Sequence, residues 1–333
     1  MIVKKEKSGG VDVYYLSKNI TDEEMNKLKN TFVKKSQIDL IIKDDADIYN
    51  EDGKLLMRYR KNKLSKKNID EFYDNVINFA KQVSTNRGSA CGSKKKNVMD
   101  NPKIMSNILG YMDNFSPKQK YLMNCQNKKI NLNVRETRFN ADYPDKFQKI
   151  IPLVKEIDGY YKKYAPSYYF KQRRKANQTN FKIPGTSFTT ITTNVNFRTS
   201  IHKDSGDDED GFGNLTVIDR GKYEGAETCF PQYGVGVDVR EKDVLFMNVH
   251  EWHGNLPMEK KDKDAIRLSI VCYLRMGIWK KTQNISKSEM IKHNLTIKNL
   301  RKQNNTKKIK NNPNKKIKKN NNTKTKKNKT KKK

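Results

Sequence analysis

The sequence predicts an α+β protein with a β-rich core, an N-terminal support of helices and a hairpin, and a basic C-terminal tail. Three observations predict this arrangement. Apolar residues recur with helical spacing over residues 66–83 and 144–164. Over residues 186–273 the pattern changes to short runs in which apolar and polar residues alternate, which is typical of β-strands. Beyond residue 302 Lys and Asn dominate, and too few apolar residues remain to form a core.

Charge and composition divide the chain into three predicted regions. We expect an N-terminal α+β extension over residues 1–165 that packs on the core, a core over 166–280, and a mostly disordered tail over 281–333. The chain of 333 residues has a formal charge of +33, of which residues 280–333 carry +20. Such a tail attracts polyanions, usually nucleic acid. Codon drift in an AT-rich genome would also enrich Lys and Asn, so both readings of the tail stay open.

The N-terminal elements have recognisable boundaries. Thr21 and Glu24 have the spacing of a capping box, which begins a helix. Asp52-Gly53 separates two apolar runs, a pattern that predicts a β-hairpin. Pro144 suits the first turn of the helix predicted over residues 144–164, because proline has no amide hydrogen to leave unpaired there.

Cysteine usage and hydropathy indicate where the protein works. The four cysteines form no C-x-x-C pair, which argues against a disulfide framework or a zinc site: Cys91, Cys125, Cys229 and Cys272. The first residues show no secretory signal, and no run of about 18 apolar residues occurs. We therefore expect an intracellular monomer in a reducing compartment, with no membrane partner.

A metal site is predicted by His202 and Asp204. Residues i and i+2 of a β-strand point to the same face, so both side chains can reach one ion. A distant histidine would complete the two-imidazole, one-carboxylate set of a mononuclear non-haem iron(II) site. The chain has four histidines, and the choice for the third ligand lies between His250 and His253.

The segment around these residues resembles the core of the Fe(II)/2-oxoglutarate-dependent dioxygenases. The motifs that carry the resemblance are, in order, Gly225-Ala226-Glu227-Thr228-Cys229-Phe230-Pro231, Lys242-Asp243-Val244-Leu245-Phe246, His253-Gly254-Asn255 and Arg267-Leu268-Ser269. Residues 194–207, which contain His202 and Asp204, more narrowly resemble the TET/JBP nucleobase-oxygenase branch. Ala226 stands where the family usually has the second glycine of Gly-Gly-Glu.

The resemblance implies a fold, ligands and cofactors. It implies a double-stranded β-helix (jelly-roll, cupin-like) core, with His253 as the third metal ligand beside His202 and Asp204. It implies that Arg267, with Ser269 beside it, binds the distal carboxylate of 2-oxoglutarate. The implied cofactors are Fe(II), 2-oxoglutarate as co-substrate and O2, with ascorbate as reductant.

Strand parity predicts further cavity residues. Counting back from His202 in steps of two places Asn194, Asn196 and Arg198 on the metal's face, provided that no bulge breaks the alternation. Buried polar groups need partners, so we expect these three side chains to contact co-substrate or substrate.

Two loops invite weaker hypotheses. Arg87 lies in a Gly/Ser-rich loop and is a candidate anion-binding group, although a plain flexible connection explains the loop equally well. The acidic loop over residues 205–213 lacks the spacing of an EF-hand, so we expect a solvated loop there.

The resemblance also implies a substrate. In the TET/JBP branch this is the methyl group of thymine or 5-methylcytosine in DNA, reached by flipping the base out of the duplex. Nucleic acid is then the partner, and the nucleus or another DNA-containing compartment the location. Two alternatives stay open: a prolyl- or lysyl-type protein hydroxylase with the same core, and a non-catalytic DNA-binding protein.

Overall fold

The computed structural model describes residues 2–85, 87–92, 103–115, 120, 123–124 and 130–310, except for the side chains of residues 89 and 302–310. The chain divides into two compact units. One consists of Met1–Asp113 and Glu136–Ile285, the other of Asn114–Arg135 and Ser286–Lys333. The prediction of a mostly disordered tail over residues 281–333 is wrong for Lys287–Lys310, which form a helix, while residues from 311 onward and Cys125 lie outside the described residues. Cys91, Cys229 and Cys272 are buried free thiols.

The predicted helices are present. The α-helices are α1 (Asp22–Leu28), α2 (Lys66–Ala80), α3 (Arg138–Asp142), α4 (Pro144–Tyr164), α5 (Pro166–Asn177), α6 (Met276–Thr282) and α7 (Lys287–Lys310). Thr21 and Glu24 form the capping box that begins α1, and Pro144 occupies the first turn of α4. Within the described residues, no helix has both the length and the apolar character needed to cross a membrane.

The strands explain why apolar and polar residues alternate over residues 186–273. They are β1 (Ile2–Ser8), β2 (Val11–Leu16), β3 (Leu40–Ile42), β4 (Ala46–Asn50), β5 (Leu55–Arg60), β6 (Ser106–Met112), β7 (Arg135–Glu136), β8 (Thr190–Val195), β9 (Gly213–Arg220), β10 (Tyr223–Gly225), β11 (Thr228–Phe230), β12 (Val235–Val237), β13 (Val244–Met247), β14 (Gly254–Asn255), β15 (Met258–Lys260) and β16 (Ile266–Tyr273). The hairpin predicted at Asp52-Gly53 joins the antiparallel strands β4 and β5.

The first unit contains one large and two small sheets. The large mixed sheet has the order β1-β2-β4-β5-β13-β9-β16-β8-β6, in which only β2 and β4 pair in parallel. A small sheet has the order β14-β11-β12-β3, and β10 pairs with β15. The N-terminal strands therefore extend the same sheet as β9 and β16 through hydrogen bonds between β5 and β13. The α+β class is confirmed.

The two faces of the large sheet have different neighbours. Leu268, Ile270 and Cys272 on β16 are fully buried in an apolar core with residues of α2 and α4. On the other face, apolar residues of β9 and β13 pack against Phe230 and Val235 of the small sheet. A polar cavity lies beside this second core, between the large sheet and the small one. The large sheet therefore forms one wall of the site.

Candidate active site

Three predicted ligands converge. His202 and His253 lie opposite each other in an isolated antiparallel bridge, in which each amide donates to the other's carbonyl over 3.0 and 2.9 Å. The Asp204 amide donates to the Val249 carbonyl over 2.9 Å, which turns the carboxylate towards both rings. Its oxygens lie 3.4 Å from His202 Nε2 and 3.8 Å from His253 Nε2. One potential ligand atom from each residue falls within 4.8 Å of the others.

The protonation of the triad suits a divalent metal. The Nδ1 atoms of His202 and His253 lie 2.8 and 2.9 Å from the carbonyls of Ser200 and Glu251. A carbonyl can only accept, so each Nδ1 carries the hydrogen and each Nε2 presents its lone pair. Burial, reinforced by His202, lowers the pKa of His253 to about 4, which keeps its ring neutral at pH 7.

The Asp204 carboxylate completes the set. Burial alone would raise the pKa of Asp204, but a hydrogen bond from His202 and the positive charge that His202 and His253 carry when protonated lower it well below its usual range, so the carboxylate is ionised. Two imidazoles and one ionised carboxylate are the donor set preferred by non-haem Fe(II). The residues present therefore fit the metal that the sequence predicts.

The other two histidines lie elsewhere. His250 Nε2 contacts the Asp208 carbonyl at 3.3 Å, and the His250 amide binds the Asn248 side chain over 3.2 Å. His293, in the second unit, contacts the Val134 carbonyl at 2.6 Å. The structure thus places His253, and not His250, beside His202 and Asp204.

A cavity of about 230 Å³ adjoins the triad. Its walls come from both sheets, with polar side chains from Thr192, Asn194, Arg267 and Ser269 of the large sheet and from Thr228 and Asn255 of the small one. This volume admits a small organic molecule next to the metal ligands.

Arg267 is buried in the cavity wall near Asp219, and burial raises the pKa of Asp219 while the charge of Arg267 lowers it. The residue is 5% exposed, and among the described residues no side chain or carbonyl forms a hydrogen bond or ion pair with its guanidinium. Asp219 lies opposite Arg267 in the register of β9 and β16. Its carboxylate oxygens, however, accept hydrogen bonds from the Tyr223 hydroxyl (2.5 Å) and the Glu241 amide (3.1 Å). A buried cation without a hydrogen-bond partner is costly, so the site demands an anion here. A planar guanidinium fork suits a carboxylate.

Ser269 and Asn194 extend this anion site. Ser106 Oγ donates to Asn194 Oδ1 over 2.7 Å, and Asn194 Nδ2 donates to Ser269 Oγ over 3.3 Å. Because the Ser269 oxygen already accepts a hydrogen bond, its own hydrogen is available to a ligand in the cavity. The predicted Arg-x-Ser pair and Asn194 therefore lie together on the cavity wall.

The predicted roles of Asn196 and Arg198 need correction. Strand β8 ends at Val195, and Asn196 has a left-handed backbone with φ of 49°, which breaks the alternation. Its carboxamide accepts from the Arg267 amide (2.7 Å) and donates to the Ala265 carbonyl (3.1 Å). Neither Asn196 nor Arg198 lines the cavity. Asn196 instead fixes the start of β16, next to Arg267.

Arg198 also has a structural role. Its guanidinium donates to the carbonyls of Val33 (2.6 Å) and Asn255 (3.3 Å) and lies 4.6 Å from the Phe32 ring centre. These contacts tie the N-terminal segment to β14. They engage the Arg198 guanidinium, which therefore does not line the cavity.

Arg87 is closer to the chemistry than the sequence suggested. Its Nη2 lies 3.3 Å from His202 Nε2, and its Nε is buried without a hydrogen-bond partner. The residue lines the cavity together with the triad. The Gly/Ser-rich loop alone indicated only a possible anion-binding role for Arg87. A local sequence pattern cannot predict a contact with His202, which is 115 residues further along the chain.

The acidic loop is also different from expectation. Asp207 and Asp208 are 9% and 2% exposed, so this part of the loop is not solvated. Asp208 pairs with Lys175 over 2.5 Å, while Asp207 lines the cavity beside Arg275. Burial, with the charge of Asp204 adding to it, raises the pKa of Asp207. Arg275, which the alternation Arg267, Ser269, Val271, Tyr273 predicts on the same face as the alternative to Arg267, also lines the cavity and is held by Asp113 over 2.6 Å.

Comparison with known proteins identifies relatives for this region. Residues 120–276 match the family model Tet_JBP, described as the oxygenase domain of the 2OGFeDO superfamily. The bifunctional helicase and thymine dioxygenase JBP2 of Leishmania braziliensis is 35% identical over 171 residues, which are 51% of this chain and 14% of that protein. Thymine dioxygenase JBP1 of Trypanosoma brucei brucei is 32% identical over 151 residues, 45% of this chain and 18% of that protein.

The similarity covers only part of each relative. Thymine dioxygenase JBP1-B of Trypanosoma cruzi (strain CL Brener) is 30% identical over 189 residues, 56% of this chain and 21% of that protein. The matched segments thus span less than a quarter of these relatives. A solved structure of NgTET1 in complex with 5mC DNA aligns with a TM-score of 0.48 and 15% identity, over 79% of this chain and 94% of that one.

Proposed function

We propose that this protein, whose residues 120–276 match the Tet_JBP family model of 2OGFeDO oxygenase domains, is an Fe(II)- and 2-oxoglutarate-dependent dioxygenase that hydroxylates the methyl group of thymine or 5-methylcytosine in DNA. The observation that carries the proposal is the meeting of two features on one cavity. A His-Asp-His triad suited to a metal lies at one part of its wall, and the guanidinium of Arg267, which forms no hydrogen bond with a described residue, lies at another.

His202, Asp204 and His253 hold the iron in this proposal. With three protein ligands, the metal keeps open positions, and it supplies the oxidising power that attacks an unactivated C–H bond. The protein's own part is to bind, orient and enclose. The Nδ1–H bonds to the Ser200 and Glu251 carbonyls fix both rings, so that the Nε2 atoms stay aimed at one point.

Arg267 and Ser269 bind the distal carboxylate of 2-oxoglutarate. The guanidinium supplies a charge-assisted fork and the serine hydroxyl one further donor, while Asn194 orients that hydroxyl. Anchoring the far end of the co-substrate leaves its 2-oxo acid end to face the triad. O2 is the second co-substrate, and ascorbate is the proposed reductant that keeps iron in its ferrous state.

The two facing sheets support a double-stranded β-helix core over residues 166–280, the finer fold assignment that we propose. The strands that carry the site, β8, β9, β11, β13, β14 and β16, all fall in this range. The N-terminal 165 residues then supply additional strands of the large sheet and the helices behind it. The tail over residues 281–333 is proposed to contact nucleic acid.

The relatives favour thymine as the substrate base. Three of them are named as thymine dioxygenases, at 30–35% identity over 151–189 residues. A methyl group inside a duplex is out of reach of a buried metal, so the base must leave the stack to enter the cavity. We propose DNA as the partner, a monomer as the working form, and a nuclear or other DNA-containing location.

An assay with matched duplexes tests the proposal. The protein is incubated with Fe(II), 2-oxoglutarate, ascorbate and duplexes that contain thymine, 5-methylcytosine or uracil, and succinate and oxidised bases are measured by mass spectrometry. The uracil duplex is the matched control because it lacks only the methyl group. We expect a hydroxymethyl base and equimolar succinate from a methylated base, and neither from uracil.

Other outcomes identify the alternatives. Turnover on prolyl or lysyl peptides, with unchanged DNA, would assign the core to a protein hydroxylase. A folded, iron-loaded protein that binds DNA without forming succinate would be a non-catalytic DNA-binding protein.

A further inference from the structure

Lys203 lies between the proposed metal ligands His202 and Asp204 at the edge of the cavity. Its ammonium is 5.0 Å from the ring centre of Trp252, the residue before His253. Lys203 and Ser205 line both the catalytic cavity and a neighbouring surface groove, so the two spaces adjoin at these residues. The same backbone that fixes His202 and His253 therefore fixes one wall of this groove.

The groove, here called the Lys203 groove, is lined among others by Lys18, Lys29, Lys203 and Trp252. Its two acidic side chains have partners: Asp22 pairs with Lys18 over 2.9 Å, and Glu251 lies 4.0 Å from Lys54. Lys29 and Lys203 are exposed and form no ion pair with any residue that the structure describes. The groove lining thus carries three lysines against two acids, and of these lysines only Lys18 forms an ion pair with a described residue.

The size of the groove argues for an extended ligand. Its volume is about 520 Å³. A single small anion needs far less room. Lysine binds phosphate as a compact point charge that several phosphate positions can satisfy, and this suits a chain of phosphates.

We propose that the Lys203 groove binds the sugar–phosphate backbone of the DNA strand whose base enters the cavity. This inference rests on the proposed function, because a flipped base brings its own phosphates to the cavity mouth. Lys29 lies outside the residues 120–276 that match the oxygenase family, so this chain's N-terminal segment supplies half of the contact. The groove positions the strand without reading its sequence.

Salt dependence of binding measures the contact directly. Fluorescence anisotropy of a labelled duplex is recorded over a range of salt concentrations with the full-length, metal-free protein, so that turnover plays no part. In the double variant Lys29→Ala/Lys203→Ala we expect weaker binding and a slope of log K against log salt that is shallower by about 2, since each phosphate contact contributes about 0.9. Both side chains are exposed, so the variant should fold normally.

The matched control is the double variant Lys43→Ala/Lys67→Ala. These lysines are also exposed and form no ion pair with a described residue, but they do not line the groove. We expect the control to keep the wild-type slope. An unchanged slope in the groove variant, or an equal shift in both variants, would overturn the proposal.

A second arm separates DNA from a small anion. Inorganic phosphate is titrated calorimetrically into the wild-type protein and the groove variant. Phosphate binding that the groove variant loses, with an unchanged DNA slope, would make the groove a small-anion site and overturn the proposal. If the slope shifts as expected but no base is oxidised, the groove assignment survives and only the dioxygenase assignment fails.

Discussion

The two faces of β8 and β16 come from the same alternating sequence but have different functions. One face packs in the core and the other lines the cavity. One face carries Leu268 and Ile270, which are fully buried against the helices behind the sheet. The other carries Arg267, Ser269 and Asn194, which are almost as deeply buried but line the cavity. Burial therefore does not distinguish core from site here. The two faces differ in whether the buried side chains have all their contacts within the protein or keep hydrogen-bonding groups available to a ligand.

The largest effect is expected at the metal end of the cavity face. Asp204→Ala removes the charged ligand and should lower iron-dependent succinate formation by more than ~100-fold, because even the loss of groups that only support a metal ligand costs about 10–100-fold. Iron content by metal analysis and succinate release check this. Asp210→Ala, an exposed acid of the same loop, is the control and should retain activity. Equal activity of the two variants would remove Asp204 from the metal site.

A substitution on the core face should lower the unfolding free energy of the protein. Leu268→Ala deletes a fully buried side chain and should cost about 2–5 kcal/mol of unfolding free energy. The measurement is urea denaturation followed by circular dichroism. The folded fraction should keep the wild-type KM for 2-oxoglutarate. A large KM change with unaltered stability would mean that the two faces are not separate in function.

Arg267→Lys tests the anion end of the cavity face. A lysine keeps the charge but loses the planar fork, and hydrogen bonds to charged groups contribute about 1.5–3 kcal/mol. We expect a KM for 2-oxoglutarate raised by about 10–100-fold, with iron binding unchanged. Initial rates of succinate formation over a 2-oxoglutarate series give this value. A change in KM for DNA alone would place Arg267 in the substrate site instead.

The smallest effect is expected where the alternation ends. Asn196→Gly and Asn196→Ala both lose the hydrogen bonds to the Arg267 amide and the Ala265 carbonyl. Alanine also has to adopt the left-handed φ of 49°, so it should be less stable than glycine by about 1 kcal/mol. Paired urea denaturation curves measure the difference. Equal stabilities would show that β8 can continue past Val195 without strain.

Local patterns predicted much of the architecture. The bounds of α4, the capping box at Thr21 and the hairpin at Asp52-Gly53 depend on neighbours in sequence, and the structure contains all three. Motif order and the alternation along β16 identified the residues that the structure brings together at Arg267 and the triad.

The parts that the sequence did not predict depend on distant contacts. Asn196 turns left-handed because its carboxamide is bonded to the start of β16, a partner about 70 residues away that no window contains. Asp207 has the charge of a solvated loop residue but is buried by packing of the loop against Arg275. Arg87 reaches the triad from a loop whose composition alone suggests only flexibility.

The most direct test of the central claim follows oxygen from the gas to the base. Wild-type protein with Fe(II), 2-oxoglutarate and a thymine-containing duplex is exposed to dioxygen of a heavy isotope, and the products are analysed by mass spectrometry. The account predicts heavy oxygen in a hydroxymethyl base and in succinate, in equal amounts, and neither product from Asp204→Ala. A folded, iron-loaded wild-type protein that forms no labelled base on either a thymine or a 5-methylcytosine duplex would contradict it.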